Sequence, residues 1–207
     1  NRGTAMLQRK NVTHLGLLAR WLYPGALKRV TAVWAREADD AKRFVAMGCP
    51  PEKVHFTGSL KMTRRAHERK RENPLPHRDF TLAVSTRPGE ERIITEVWRG
   101  VSSTSLLVLI PRHRPRVTSI IKALEYDGFK VGRTSSLMAV GADMGVLVVD
   151  TIGEVDAYCA HASFVFVGGS MIDAGGHNVF EPLSWGKAII VGPYTQNFTA
   201  EVEYLIS

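Results

Sequence analysis

Two cysteines in 207 residues leave sulfur little to do. Cys49 and Cys159 stand far apart with no C-x-x-C spacing, so the chain encodes neither a zinc ribbon nor a disulfide scaffold. A reducing, cytosolic setting fits that usage best. No run of about 18 apolar residues occurs, so no membrane-crossing helix is expected within this stretch. A G-x-S-x-G elbow, an H-E-x-x-H pair and a Walker lysine loop are all missing, which removes serine-hydrolase, zinc-peptidase and P-loop chemistry. No side chain stands out as a general base, so any enzyme built on this sequence keeps part of its active site elsewhere. No internal repeat or low-complexity segment is evident. The chain also starts at Asn1 without a methionine and stops at Leu205-Ile206-Ser207, inside a helix expected to begin near Asn197. It reads as a fragment of a longer protein.

What is present is ordinary in bulk and specific in pattern. Hydrophobic residues make up 44% of the chain, enough for a sizeable globular core. The formal net charge of +7 suits an anionic partner, whether a nucleotide, a phosphorylated lipid or a membrane surface. A nucleic-acid partner fits less well. The basic residues lie in 2–10, 64–78 and 112–116 without the interleaved aromatics of a single-strand binder.

Leu15, Leu17, Leu18, Trp21 and Leu22 form an apolar stripe at helical spacing, suited to core packing or to a membrane surface. Short strands are expected at 31–34 and 54–56, with a helix over 37–47 closed by Gly48. Residues 58–77 are rich in Lys, Arg and Pro and lack apolar periodicity, as at a domain boundary. From Phe80 a regular alternation begins. Strands are expected at 80–84, 106–110, 129–131, 146–149, 164–167 and 188–191, with helices at 89–98, 115–126, 153–160 and 179–185 between them. Strands alternating with helices predict a parallel, doubly wound α/β sheet.

Ligands of such sheets collect beyond the carboxyl ends of the strands. There the sequence places Ser85, Thr86 and Arg87, then Pro111, Arg112 and His113. Ile152 and Gly153 follow Asp150, and Gly168, Gly169 and Ser170 follow the fifth strand. Gly175, Gly176, His177, Asn178 and Glu181 come next, with Asn197 beyond the last strand. A strand, a glycine loop, a helix start and a carboxylate one turn in can hold a phosphate and a neighbouring hydroxyl. Each position also has a structural reading. Ser85 and Thr86 suit helix capping as well as ligand contact, with Glu90 and Glu91 complementing the helix dipole. Asp150 reads first as a cap of the Gly153 helix. Asn178 and Glu181 fit a capping box as well as a grip on ribose, and His177 reads more as an organiser of its loop than as an anion contact.

These same residues resemble the motifs of a known family. Thr57-Gly58-Ser59-Leu60-Lys61, Ser85-Thr86-Arg87-Pro88-Gly89-Glu90-Glu91 and Ile110-Pro111-Arg112-His113 are similar to segments of the Kdo (3-deoxy-D-manno-octulosonic acid) transferases. So are Asp150-Thr151-Ile152-Gly153-Glu154, Phe166-Val167-Gly168-Gly169-Ser170, Gly175-Gly176-His177-Asn178, Glu181-Pro182, and Gly192-Pro193 with Asn197-Phe198. The resemblance implies a GT-B fold, two Rossmann-like domains facing across a cleft. Residues 1–57 would end the N-terminal acceptor domain, 58–78 would form the crossover, and 79–207 would be the C-terminal donor domain, cut short at its end. It implies inverting transfer of Kdo from CMP-Kdo to a lipid A precursor, without a metal or other cofactor, at the cytoplasmic face of the bacterial inner membrane.

On this resemblance the donor nucleotide would contact Ser85, Thr86, Pro111, Arg112, Ile152, Gly153, Gly168, Gly169, Ser170, Asn178 and Glu181. Lys61, Arg87, His113, Gly175, Gly176, His177 and Asn197 would surround them. The general-base glutamate and the membrane-associating surface would belong to N-terminal sequence preceding this stretch. Three positions depart from the family pattern: Arg87 replaces a usual histidine, Ser59 a usual asparagine, and Met62-Thr63 a usual Phe-Asp. Two other functions fit less of the sequence: another GT-B transferase using a UDP- or GDP-sugar, and a basic nucleic-acid-binding module.

Overall fold

The computed structural model describes residues 23–35, 38–57, 71–76, 78–101, 105–136 and 145–206. The chain divides into two compact units between Arg64 and Arg65. The apolar stripe from Leu15 to Leu22, Lys61 and the positions 59, 62 and 63 lie outside the described residues.

In the first unit, helix α1 (residues 23–29) precedes strand β1 (Val33–Ala35), helix α2 (Ala38–Ala46) and strand β2 (Val54–Phe56). The two strands pair in parallel, with Val33 opposite Val54 and Ala35 opposite Phe56. A parallel pair needs a crossover, and α2 supplies it. Gly48 ends that helix at φ 95°, with its N–H donating to the Val45 carbonyl and the Cys49 N–H donating to that of Phe44. A Cβ there would sit 3.2 Å from the Cβ of Pro24, so glycine serves both the left-handed turn and the close packing.

The second unit is a six-stranded sheet built from β3 (Phe80–Thr86), β4 (Leu106–Pro111), β5 (Val131–Arg133), β6 (Val146–Val148), β7 (Phe164–Val167) and β8 (Ala188–Ile190). The spatial order is β5-β6-β4-β3-β7-β8, and every pairing is parallel. Helices α3 (Glu90–Val101), α4 (Val117–Tyr126), α5 (Val155–His161), α6 (Phe180–Ser184) and α7 (Thr199–Ile206) complete it.

Strand periodicity explains how the two faces differ. Phe80, Leu82 and Val84 alternate with Ala83 on β3, and Leu106, Val108 and Ile110 alternate with Leu107 and Leu109 on β4. The first set packs with Tyr158 and Cys159 of α5 and with Phe198. The second packs with Val117, Ile120 and Leu124 of α4, flanked by Ile94 and Trp98 of α3. Both faces are covered, which is why the central strands read as continuous apolar runs rather than alternating ones. Each fully buried Leu or Val adds roughly 1.5–3 kcal/mol of transfer free energy.

The chain leaves β3 for β4, runs out to β5, returns through β6, and then jumps back to the other side of β3 to form β7. That reversal beside β3 is the topological switch point of the sheet, where ligands of doubly wound folds bind.

Two of the boundaries that differ from expectation do so for local reasons. The strand expected at 129–131 starts at Val131 because the Phe129 N–H closes helix α4 on the Leu124 carbonyl. Its ring lies under the Arg99 guanidinium, 4.3 Å from the cation. At the other end, β3 continues past Val84 through a bulge: Val84 and Thr86 face Ile110 and Pro111, and Ser85 between them sits at φ 59°.

The close approach of β3 and β7 at this point needs Gly168. A Cβ on it would lie 2.5 Å from the Ser85 carbonyl oxygen. Gly168→Ala is therefore expected to destabilise the protein by about 1–3 kcal/mol, the cost of overpacking against backbone. A urea midpoint unchanged from wild type would show that the two strand tips can part freely.

Candidate functional site

Loops from five adjacent strands meet along the carboxyl edge, and charged groups decide their shape. Beyond β3, helix α3 opens with Glu90 and Glu91, and both are buried. They do more than face a helix dipole. Glu90 accepts four backbone hydrogen bonds: from Arg87 at 2.8 Å, Gly169 at 2.7 Å, Ser170 at 3.0 Å and Met171 at 2.9 Å. Three of these donors belong to the glycine loop after β7. A carboxylate of the chain itself thus fills the nest of N–H groups that the sequence offered to a phosphate. Gly168, Gly169 and Ser170 form a fixed wall whose N–H groups are all engaged within the chain, that of Gly168 by the Val84 carbonyl and the other two by Glu90.

Glu91 binds a second set. It accepts the Thr86 hydroxyl at 2.7 Å and the Arg116 guanidinium at 2.9 Å. Thr86 is fully buried, and its hydroxyl is a tie across the helix start. Its carbonyl accepts the Arg112 N–H at 3.0 Å, which fixes the loop after β4. Pro111 is buried as the last residue of β4. Ser170 is buried too, its hydroxyl donating to the Val167 carbonyl and accepting the Gly192 N–H. These three residues hold the site's shape without lining its surface.

Asp150 is a further correction. It does not cap the helix that follows. It is buried at the end of β6 and accepts hydrogen bonds from Arg133 at 2.6 Å, from the Thr134 hydroxyl at 2.9 Å, and from the N–H and hydroxyl of Ser135. Burial alone would raise its pKa. The Ser135, Arg133 and Thr134 donors outweigh burial and hold the carboxyl well below the usual carboxylate range. Helix α5 starts at Val155, and Glu154 accepts the Thr151 hydroxyl ahead of it. Ile152 and Gly153 form the tip between. Ile152 is 77% exposed, an apolar side chain left in solvent at the ligand edge.

The second glycine pair has an architectural purpose. Gly175 and Gly176 lie at φ 75° and 74°, and a Cβ on either would overlap Asn197 or the Phe198 ring. The Asn197 amide donates to the carbonyls of Ala174 and Gly176, both at 3.1 Å. Asn197 therefore clamps this turn, and Phe198 is buried behind it. Asn178 accepts the Phe180 N–H at 3.2 Å, an Asx turn that leads into α6. Glu181 lies in the first turn of that five-residue helix and is partly exposed. Its charge reaches α5, where burial first and Glu181 second push the Cys159 thiol up to about 12.

The side chains left at the surface of the switch point are Ser85, Arg87, Arg112, His113 and His177. Arg87 donates through Nε to Nε2 of His177 at 3.1 Å. That ring packs where Gly169 has no side chain, since a Cβ there would lie 2.9 Å from its Cδ2. Burial first, and then the charges of Arg87 and Arg112, push His177 down to about 4. The imidazole is neutral, with its lone pair on Nε2. His177 orders its loop by binding a cation, which sequence reasoning missed. Only the unusual arginine at position 87 hinted at it.

Known proteins match both parts of the chain. The family profile of the 3-deoxy-D-manno-octulosonic-acid transferases (kdotransferases) matches residues 4–64. The 3-deoxy-D-manno-octulosonic acid transferase of Haemophilus influenzae is 28% identical over 185 residues, spanning 82% of this chain and 42% of that protein. Among solved structures, the C-terminal CMP-Kdo binding domain of WaaA from Acinetobacter baumannii superposes with a TM-score of 0.57 at 26% identity. That match covers 64% of this chain and 70% of that domain.

The chain is similar to Kdo transferases in both of its parts.

Anabaena HepE, solved with UDP-glucose, shares the fold at 12% identity and a TM-score of 0.50, covering 98% of this chain and 60% of that one. The parallel sheet is that of a GT-B glycosyltransferase domain. The chain spans less than half the length of the curated relatives it matches.

Two measurements test how this site is assembled. Glu90→Gln puts an amide NH2 against backbone N–H groups, so it should cost about 2–4 kcal/mol of stability, given roughly 1–3 kcal/mol per stranded donor. Equal urea midpoints for the variant and wild type would refute the role of Glu90 as the loop's anchor. His177 gives a signature in pH. Its folded pKa lies below the unfolded value of 6.5, so its contribution to stability is complete above pH 6.5 and is lost as pH falls through about 4. His177→Gln should flatten the stability profile across that window, and an unchanged slope would mean that another group titrates there.

Proposed function

We propose that this chain supplies the donor-binding part of a Kdo transferase, an inverting enzyme that moves Kdo from CMP-Kdo to a lipid A precursor in lipopolysaccharide synthesis. The observation that carries the reading is the corner at the switch point. There Arg87 and Arg112 sit beside a neutral imidazole, in a chain similar to the C-terminal CMP-Kdo binding domain of WaaA from Acinetobacter baumannii. Net positive charge at strand ends is the electrostatic counterpart of a nucleotide phosphate.

In this reading Arg112 and its neighbours hold the phosphate, which gathers charge as the bond to the sugar breaks. Stabilising that charge in a dry, fixed site is the chain's own share of catalysis. Glu181 accepts the ribose hydroxyls, Asn178 sets the start of α6, and exposed Ile152 offers an apolar surface to the cytosine ring. Residues before position 58 belong to the acceptor side. The glutamate that removes the acceptor proton comes from sequence preceding this stretch, and so does the surface that meets the membrane at the cytoplasmic face. Loss of the phosphate as part of free CMP calls for no metal in this scheme, because guanidinium groups supply the compensating charge.

Glu181 provides the test. Glu181→Gln should weaken CMP binding by about 1–3 kcal/mol, the scale of a lost charge-assisted hydrogen bond, with the melting temperature preserved. If the variant instead melts earlier and binds CMP as wild type does, Glu181 serves α6 and the ribose contact is wrong. Preference for UMP over CMP in the same titrations would move the reading to another sugar nucleotide.

A further inference from the structure

The resemblance assigns position 87 a histidine, and this chain has an arginine there. The substitution is chemically large. A guanidinium is charged at every working pH and presents a planar fork of donors, whereas histidine presents one or two donors and a charge that depends on pH. The surroundings accommodate that fork. The Arg87 backbone N–H is tied to Glu90, the β3 bulge at Ser85 turns the chain just before it, and Nε is spent on His177. Nε2 of His177 is the acceptor, so the imidazole proton is on Nδ1 and the ring itself contributes no charge.

The charge balance is uneven along this edge. Arg116 is paired with Glu91, and Arg133 with Asp150. Among the described residues no carboxylate lies within ion-pair distance of Arg87, Arg112 or His113. The nearby acid, Glu90, has its oxygens engaged by four backbone N–H groups and is buried behind the loop. Three basic side chains therefore lie near His177 with no carboxylate partner among the described residues, and two of them are guanidinium groups.

We propose that Arg87 is a specificity-determining contact to the anionic centre of the donor, acting beside Arg112, and that His177 is the positioning residue that aims its guanidinium. Two guanidinium groups together match the phosphate of the donor, the anionic group that free CMP also presents. His177 fixes one edge of the Arg87 fork, which leaves the two terminal nitrogens for a bidentate contact. Gly169 makes room for the ring that does the aiming, and Glu90 fixes the loop behind it. The proposal rests on the donor reading above, and it assigns to the Arg87–His177 pair a role that the usual histidine at position 87 has too few donors to fill.

The test is a double-mutant cycle read by calorimetric titration of CMP into the 207-residue chain, with a melting curve for every variant. Arg87→Gln is expected to weaken CMP binding roughly 10- to 100-fold, the size of one charge-assisted contact. Arg87→Lys should recover little of this, because it lacks both the fork and Nε. His177→Leu should weaken binding as well, and His177→Gln should restore it, since an amide oxygen can accept from Nε. The Arg87→Gln/His177→Leu double variant should bind no worse than Arg87→Gln alone, because a residue that acts only by aiming Arg87 has nothing left to aim.

An independent loss from His177→Leu in the Arg87→Gln background would overturn the positioning role. CMP affinity unchanged by Arg87→Gln in a variant that melts normally would overturn the contact itself while leaving the donor reading intact. Failure of the wild-type chain to bind CMP would sink the donor reading and this proposal with it. Nitrogen NMR of the imidazole gives a readout separate from affinity. The Nδ1–H tautomer should dominate in wild type and lose that dominance in Arg87→Gln, and a tautomer balance indifferent to Arg87 would refute the pairing.

Discussion

The Glu90 carboxylate is bound by the N–H groups of Arg87, Gly169, Ser170 and Met171, and it joins two loops far apart in sequence. Four donors at 2.7–3.0 Å satisfy both carboxylate oxygens away from water. The carboxylate in turn relieves three loop N–H groups that would otherwise lack partners. Much of the site follows from that exchange. The glycine loop is held against the β3 tip, Gly168 reaches the Ser85 backbone, and Gly169 offers its bare face to His177. A helix start and a glycine loop that look made for phosphate are thus occupied from within, and the positive charge left at the surface belongs to side chains.

That shift gives the site a particular electrostatic character. Glu90, Glu91 and Asp150 each neutralise donors behind the surface, while Arg87, Arg112 and His113 remain in front of it. The acids lie beneath the loops and the bases lie at their tips. An approaching anion meets positive charge that no carboxylate among the described residues pairs. Preorganised charge of this kind costs nothing to rearrange when a phosphate leaves, which is the property a group-transfer site needs. The neutral His177 fits the same scheme. It binds Arg87 without adding to the repulsion among the cations.

Much of the layout was legible in the residues alone. Parallel strands buried on both faces appear as unbroken apolar runs, and the helices between them alternate at their own period, so the doubly wound sheet could be read directly. The strand tips could be read as well, because polar and glycine residues interrupt each run at the carboxyl end. Boundaries slipped where a local hydrogen bond took precedence, as when the Phe129 N–H closed helix α4 instead of joining a ladder. The roles of tip residues were less legible. Thr86 and Ser170 look like ligand contacts in sequence and are buried ties. Asp150 looks like a cap and is an anchor for the turn after β5.

The sequence by itself determined the periodicities, the turn chemistry at the glycines and the family motifs. All of these are local, and a few residues on either side suffice to recognise them. Only the tertiary structure decided which donor meets which acceptor. Glu90 reaches a loop about eighty residues away, Arg87 reaches His177 ninety residues away, and Asp150 draws its partners from the preceding strand's turn. A carboxylate beside a helix start has the same sequence whether it faces water, a substrate or a buried loop. Which of these it meets depends on strand order, because the jump of the chain from β6 back to β7 is what sets the glycine loop beside β3.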